Sequence, residues 1–482
     1  MRPSLTLRKN HYNKSVRGIV KSSAYLPHYR LNRADITAFF GSGQASGIRS
    51  VAAHDEDTVT MGFEAARMIV SAEGKIEPEA LWFTTSEPPY MEKTNANVIH
   101  SALQLPKGTS AYDFNGALKS GIGAIKTALT SNQTVLLVQS DIRGGLPSSP
   151  DESQGGDAAV AFLIGDANAD QLLASYLGGS SETLEFIDRW RNPSEKVTKQ
   201  WESRFVEDAY LPLIREAWTQ ALANSSLKES DVDTVIFSGQ NDRVKRQAAK
   251  IITTERFQDN VASNIGNAGT AEAGLLLLSA LEHAHVGQKV ALCSFNDGVE
   301  ILIFEVESDN EVVNPIEHQI KNRSDLSYGK FLQWREMLPV QPPNRPAPSR
   351  ISASASKRES DWKHGFIASR GDQSGLIHMP PSRLSIDETD NDDAMLMQSM
   401  AASIGKVATF TVDHLVYSQN PPVVFAVVDF DNGGRIPIEI TDVAENEVEI
   451  GMNVEPTFRK LFTADGIHNY FWKVRPIRST KE

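Results

Sequence analysis

Cysteine is nearly absent: Cys293 is the only one in 482 residues. The chain therefore has no internal disulfide and cannot assemble a Cys-rich zinc or iron centre. It has no run of 18 apolar residues, which excludes a membrane-spanning helix. Residues 1–15 are basic but no apolar core follows them, so a secretory signal is not read there and the chain reads as cytoplasmic. Excess positive charge is also missing. The net charge is −13, which argues against a nucleic-acid partner, because phosphate binding needs a basic face. A local basic pocket for an anionic ligand remains open. None of the eleven histidines stands in an HExxH arrangement. What remains, 40 % apolar and 23 % charged residues, is the make-up of a globular protein of about three to four domain-sized units.

The first half alternates strands and helices. RGIVKSSAYL reads as a strand, 32–40 as a short helix, and DEDTVTMGFEAARMIVSA as a helix whose leading acids, Asp57 or a neighbour, cap it and favour its dipole. ALWFTT is a strand, NANVIHSALQL a helix and SAYDFN a strand. GALKSGIGAIKTALTS is a helix opened by Gly116. The apolar strands TVLLVQSD and GDAAVAFLIGD follow. Strands apolar on both faces between helices indicate a layered α/β fold.

The second half repeats this order with a long helix FVEDAYLPLIREAWTQALANS and a strand DTVIFSGQN. A helix GNAGTAEAGLLLLSALEHAH, opened by Gly266 and Asn267, leads to the strands KVALCSF and VEILIFEVE. A period of about 150 residues means a duplicated domain rather than a solenoid. SYGKFLQWREMLPV reads as one or two helical turns, and QPPNRPAPSRISASASKRESD as a linker. Five short strands then crowd the C-terminal part, with Asn432-Gly433-Gly434 as a hairpin turn. They suggest a small closed barrel of OB type.

These motifs resemble a known family. GIVKSSAYLPHYRLNRADI, DEDTVTMGFEAA, GGDAAVAFLIG and SNIGNAGTAEAGLLLL are similar to the thiolase superfamily, and to 3-hydroxy-3-methylglutaryl-CoA synthase and ketoacyl synthase III within it. DWKHGFIASRGDQSGLIHMPPSRLS, TVDHLVYSQNPPVVFAVVDFD and LFTADGIHNYFWKVRP resemble the OB-fold proteins that accompany thiolases and carry a zinc ribbon. The resemblance implies a duplicated five-layer αβαβα fold followed by a small all-β OB domain. It divides the chain into thiolase-like halves at 1–172 and 173–310, a helical and Pro/Ser-rich linker at 311–361, a degenerate ribbon at 362–390 and the OB domain at 391–482.

The same resemblance shows what is missing. The family's acyl-carrying Cys sits at a helix N-terminus that lowers its pKa. Leu118 matches it, and leucine forms no thioester. The family's Glu acid/base matches Ser86, or Glu87 after a one-residue shift. Its His is replaced by Gln240 and Asn241. Asn267 is retained, either as an oxyanion-hole amide or as a turn residue with Gly266. The four ribbon cysteines match Gly371, Ser374, Ser385 and Glu388, which leaves no tetrahedral zinc site. The acidic SIDETDNDDAM reads as a solvated loop. Cys293, in an apolar strand, reads as a small hydrophobe. His100 reads as a core residue, and His283 and His285 as helix-end support. Phe458, Arg459, Lys460, Phe471, Trp472 and Lys473 read either as barrel core or as a binding face, with Phe471, Trp472 and Lys473 the candidate ligand contacts.

Two functions follow as expectations. One is a non-catalytic or accessory subunit that docks on a thiolase-like protein, or pairs with itself, through the thiolase-fold interface and handles acyl-CoA with no cofactor or metal. The other is an acyltransferase or retro-aldol lyase on CoA or carrier-protein thioesters, with a base such as Glu87 or Asp157 in place of cysteine.

Overall fold

The computed structural model describes residues 16–43, 45–70, 77–193, 195–201, 204–308, 314–391 and 395–477. The basic segment 1–15 and residues 392–394 of the acidic loop lie outside the described residues.

A nine-stranded mixed sheet carries the first two thirds. In chain order its strands are Val16–Tyr25 (β1), Ala80–Thr85 (β2), Ser110–Asn115 (β3), Val135–Asp141 (β4), Ala158–Ala167 (β5), Ala174–Thr183 (β6), Thr234–Ser238 (β7), Lys289–Phe295 (β8) and Gly298–Val306 (β9). Across the sheet they run β7-β8-β9-β6-β1-β5-β4-β2-β3. The two halves join where β1 meets β6, at Gly18 opposite Ser175 and Ile19 opposite Ala174.

The helices complete the layers. Thr58–Val70 (α1), Lys119–Thr130 (α2), Arg204–Asn224 (α3), Asp242–Ile251 (α4) and Glu272–Leu281 (α5) are the longer ones. α2 and α5 pack together in the middle, against strands of both halves. α1 covers one outer face and α3 with α4 the other. Every residue of α5 is buried, as a helix between two sheet halves requires, whereas α4 buries only Val244 and Ala248.

The periodic run GNAGTAEAGLLLLSALEHAH is not one helix. A 3₁₀ turn, Gly269–Ala271, precedes α5, which ends at Leu281, short of both histidines. His283 still closes the last turn, with Nδ1 2.8 Å from the Ser279 carbonyl oxygen. The stretch after 310 packs more than a linker would. Tyr328–Trp334 forms a helix whose Tyr328, Phe331, Leu332 and Trp334 are buried with Leu31, Ile36 and Val51.

The C-terminal strands close a barrel: Gly405–Asp413 (β10), Val423–Phe430 (β11), Arg435–Ile440 (β12), Asn453–Ala464 (β13) and Ile467–Pro476 (β14), ordered β10-β11-β12-β14-β13. Gly433 and Gly434 take positive φ, 98° and 89°, in the β11–β12 turn read from Asn-Gly-Gly.

The barrel docks on α1 through a buried charged junction. Phe63 packs against Phe458 and Trp472. Arg459, fully buried, pairs with Glu56 and Asp442, each at 2.7 Å. Lys473 meets Asp55 at 3.0 Å and Arg475 meets Glu64 at 3.0 Å. The acids heading α1 therefore divide their work. Asp57 caps the helix by accepting from the Val59 and Thr60 amides at 3.0 and 2.9 Å. Asp55 and Glu56 meet barrel cations, and the other oxygen of Asp57 accepts from the Tyr470 hydroxyl at 2.7 Å. Charges this buried persist only when paired, as each of these is.

Candidate functional site

A cleft of about 580 Å³ opens where the strands end. Its walls come from the turns after β2 (Ser86, Glu87), β3 (Asn115 to Leu118), β4 (Arg143), β7 (Gln240, Asn241) and β8 (Phe295 to Asp297), and the segment Asp188–Pro193 lines one side. Ligands in α/β sheets settle at the carboxyl ends of strands, because the turns there converge and helices begin there. Leu118, Glu87, Gln240 and Asn241, far apart in sequence, all line this one cavity.

Ser86 and Arg143 form one wall. The Ser86 hydroxyl lies 2.7 Å from Asp141 Oδ2 and accepts from Arg143 Nη1 at 3.0 Å. Asp141 also accepts from the Thr270 amide at 2.9 Å, which ties the first-half wall to the second half. The Arg143 stem lies between two glycines. A Cβ at Gly155 or Gly269 would come within 2.8 or 2.9 Å of it. A guanidinium held in this way donates hydrogen bonds and holds negative oxygen, but does no acid–base work near neutrality. Glu87 is half-exposed. Its carboxylate pairs with Arg191, which also reaches the Ser86 carbonyl oxygen.

The opposite wall rests on an amide chain. Asn267 Nδ2 donates to Glu272 at 2.5 Å, Asn267 Oδ1 accepts from the Gly269 amide at 3.0 Å, and Gln240 Nε2 donates to the same Oδ1. Asn267 thus holds the turn that Gly266 opens and braces a cleft residue. Asn241 lines the cleft while capping α4, accepting from the Arg243 amide at 3.0 Å. Glu272 is buried, and burial raises its carboxyl to about 7, with Lys245 opposing the rise. Asp188 and Asp297, at another edge of the cleft, are both raised, chiefly by burial, and for Asp188 also by the charge of Asp297.

Other candidates are placed elsewhere. Asp157, proposed as a base from sequence, is fully buried and lines no part of the cleft. It accepts from the Ala52 and Arg143 amides at 2.8 and 2.9 Å and pairs with Arg49 and Arg335. It positions Arg143 rather than meeting a ligand. Cys293 lies in the core of β8, where burial pushes its thiol well up. His100 reaches the Pro106 carbonyl oxygen at 3.1 Å. Trp472 and Lys473, candidate ligand contacts, are instead buried in the junction, and Phe471 packs against Trp362. The alternation of β14 aims Trp472 at α1, which its own pattern does not reveal. Arg143, Asp141, Arg191 and Glu272 were missed by sequence reasoning. The one available signal was the polar ending of the apolar strand VQSDIR.

The positions that the sequence reading matches to a zinc ribbon gather around a carboxylate. The Asp390 carboxylate accepts from the Gln373 and Ser374 amides at 2.8 Å each and from the Ser374 hydroxyl at 2.7 Å, and it bonds the Ser385 side chain. A Cβ on Gly371 would lie 2.0 Å from this carboxylate. It therefore fills the space between three of the four positions matched to zinc ligands. Hydrogen bonds from the backbone, above all the Ser374 amide, hold its carboxyl far below the usual range. Gly371, Ser374, Ser385 and Glu388 do not fit a zinc ion, since they offer neither thiolate nor imidazole. Among the described residues no three His, Cys, Asp or Glu side chains cluster as metal ligands. No described helix is long and apolar enough to cross a membrane.

Known proteins share this architecture. Residues 400–459 match the family described as ChsH2, C-terminal OB-fold domain. The chain is similar to the hydroxymethylglutaryl-CoA synthase of Pyrococcus furiosus, with 26 % identity over 336 residues, covering 66 % of this chain and 95 % of that enzyme. Among solved structures, an HMG-CoA synthase complexed with CoA superimposes with a TM-score of 0.60 at 20 % identity, covering 70 % of this chain and 94 % of that one. The HMG synthase of the curacin biosynthetic pathway, in complex with acetyl donor-ACP, reaches 0.54 at 16 % identity, covering 67 % and 88 %. The chain thus has a thiolase-like α/β fold, with homologues among the HMG-CoA synthases, followed by a C-terminal OB domain.

Proposed function

We propose that the cleft binds an acyl-CoA thioester without becoming acylated, and that the chain serves as an accessory subunit of a thiolase-type complex acting on carbon–carbon bonds. The observation that carries this reading is Leu118 at the head of α2, facing a cleft that stays open. A helix start favours a thiolate, but leucine has none to offer, and the buried Cys293 cannot replace it. The position matched to the acid/base Glu holds Ser86, whose hydroxyl is engaged by Asp141 and Arg143. What the cleft retains are groups that bind oxygen and amide atoms. The relatives' complexes with CoA and with acetyl donor-ACP support a thioester as the ligand. Strand β3, at the open edge of the sheet with Tyr112 exposed, suits pairing with a thiolase-like chain or a second copy.

The test is calorimetry with acetyl-CoA, followed by intact-mass measurement and a thiolase assay with and without the chain. Binding, no mass gain and an effect only on the partner's rate are expected. Steady release of CoA by the chain alone would sink the accessory role.

Asp188 and Asp297 favour a second reading, a lyase or acyltransferase that needs no cysteine. Two carboxyls raised by burial beside the cleft are suited to proton transfer. Under this reading D188N and D297N abolish a turnover that L118A leaves intact.

A further inference from the structure

The walls of the cleft differ in how their hydrogen-bonding groups are aimed. The direction of the amide chain behind Gln240 follows from its ends. The Gly269 amide can only donate, so the Asn267 atom it meets at 3.0 Å is the carbonyl oxygen. The Asn267 nitrogen is then the atom that faces Glu272, at 2.5 Å. Gln240 must offer its nitrogen to Asn267 Oδ1, which leaves its carbonyl oxygen as the acceptor available to a ligand. Each assignment forces the next, so the Gly269 amide sets the direction of the chain and Glu272 anchors the Asn267 end of it.

We propose that Glu272 is a positioning residue which, by anchoring Asn267 in the orientation the Gly269 amide sets, holds the Gln240 carbonyl oxygen as a fixed acceptor on the cleft wall, so that the ligand presents a hydroxyl or amide N–H at that point. The proposal rests on the thioester reading of the cleft for its ligand, but not for the chain of hydrogen bonds itself. A pantetheine arm carries two amide N–H groups of the required kind. The opposite wall, built on Arg143, offers donors, so the two walls recognise opposite partners on one bound molecule.

The chain is poised to respond to pH. Glu272, buried at the start of α5, titrates near 7. The Gly239 amide also donates to it, at 2.8 Å. Lys245 on α4 favours its ionised form, while Asp242 at the head of α4 and Asp259 ahead of residues 261–264 oppose it. Ionised, Glu272 accepts strongly from Asn267. Protonated, it loses the charge-assisted part of that bond and the brace on Gln240 slackens.

The experiment uses the full chain with ¹⁵N-labelled Asn and Gln side-chain amides, followed from pH 5.5 to 8.5. Asn267→Asp assigns the Asn267 signal and Gln240→Leu the Gln240 signal. The two signals are expected to titrate together with a midpoint near 7, and Glu272→Gln, which keeps an accepting oxygen, is expected to make both independent of pH. Signals that stay fixed in the parent, or that still titrate in Glu272→Gln, overturn the proposal. In parallel, acetyl-CoA is expected to bind about fivefold more weakly at pH 6 than at pH 8 in the parent. In Glu272→Gln the two affinities should be equal. A parent affinity independent of pH also overturns the proposal. Failure of acetyl-CoA to bind at any pH overturns the thioester reading instead, and the relay then stands or falls on the amide signals.

Discussion

The cleft around Leu118 and the turn around Asp390, the two places where the sequence reading expects a missing sulfur, differ in what occupies them. In the cleft, Leu118, which the sequence reading matches to a nucleophile, lines an open cavity of about 580 Å³. Between Gly371, Ser374 and Ser385, the Asp390 carboxylate accepts from the amides of Gln373 and Ser374. The difference lies in the groups at each place. Around Asp390, the backbone N–H groups of one turn and a Ser374 hydroxyl converge on a carboxylate. At Leu118, an apolar side chain at a helix start lines an open cavity.

The largest expected effect tests the ribbon side of that contrast. Combining D390A with G371C, S374C, S385C and E388C should create a tetrahedral site that binds one zinc per chain, with about 10 kcal/mol of binding free energy. Metal analysis of the purified variant and a chelator competition would measure it. No zinc uptake would mean that the four positions do not converge.

The junction between the two regions comes next. R459A removes the buried guanidinium that pairs with Glu56 and Asp442 and should cost about 3–5 kcal/mol. Urea unfolding measures the loss. Proteolysis should then separate the barrel from the layered domain, and a barrel that stays protected would show the charges to be incidental.

A smaller effect concerns pH. The folded Glu272 carboxyl is raised above its unfolded value, so the folded state favours its protonated form. Its stabilising contribution is present below pH 4.5 and is lost as pH rises through about 7. The difference is about 3 kcal/mol between those limits. E272Q should shrink the gap in unfolding free energy between pH 5 and pH 8 by about that amount. An unchanged gap would assign the titration to another group.

The smallest change tests the openness of the cleft. In L118C the new thiol should react with iodoacetamide at least about tenfold faster than Cys293, which stays protected in the native protein. Equal rates would mean that the head of α2 is closed.

The sequence by itself determined the layered α/β domain and the five-stranded barrel. Each rests on a short-range signal: apolar runs of strand length, helical spacing, Gly-opened turns, or a residue type at a motif position. It also brought Glu87, Leu118, Gln240 and Asn241 forward as site residues. Only the tertiary structure decided which polar residues are partners. Asp157 looked like an available base until the Ala52 and Arg143 amides and two guanidiniums closed over it. Trp472 and Lys473 looked like a ligand face until α1 covered them. Asp390 looked like part of a solvated loop. Glu272 drew no notice because its partner Asn267 reaches a cleft residue 27 positions away in sequence. Hydrophobic periodicity is written along the chain because burial repeats with each turn or pleat. A hydrogen-bond partner has no such period, because it is set by which turns the folded layers bring within about 3 Å of one another.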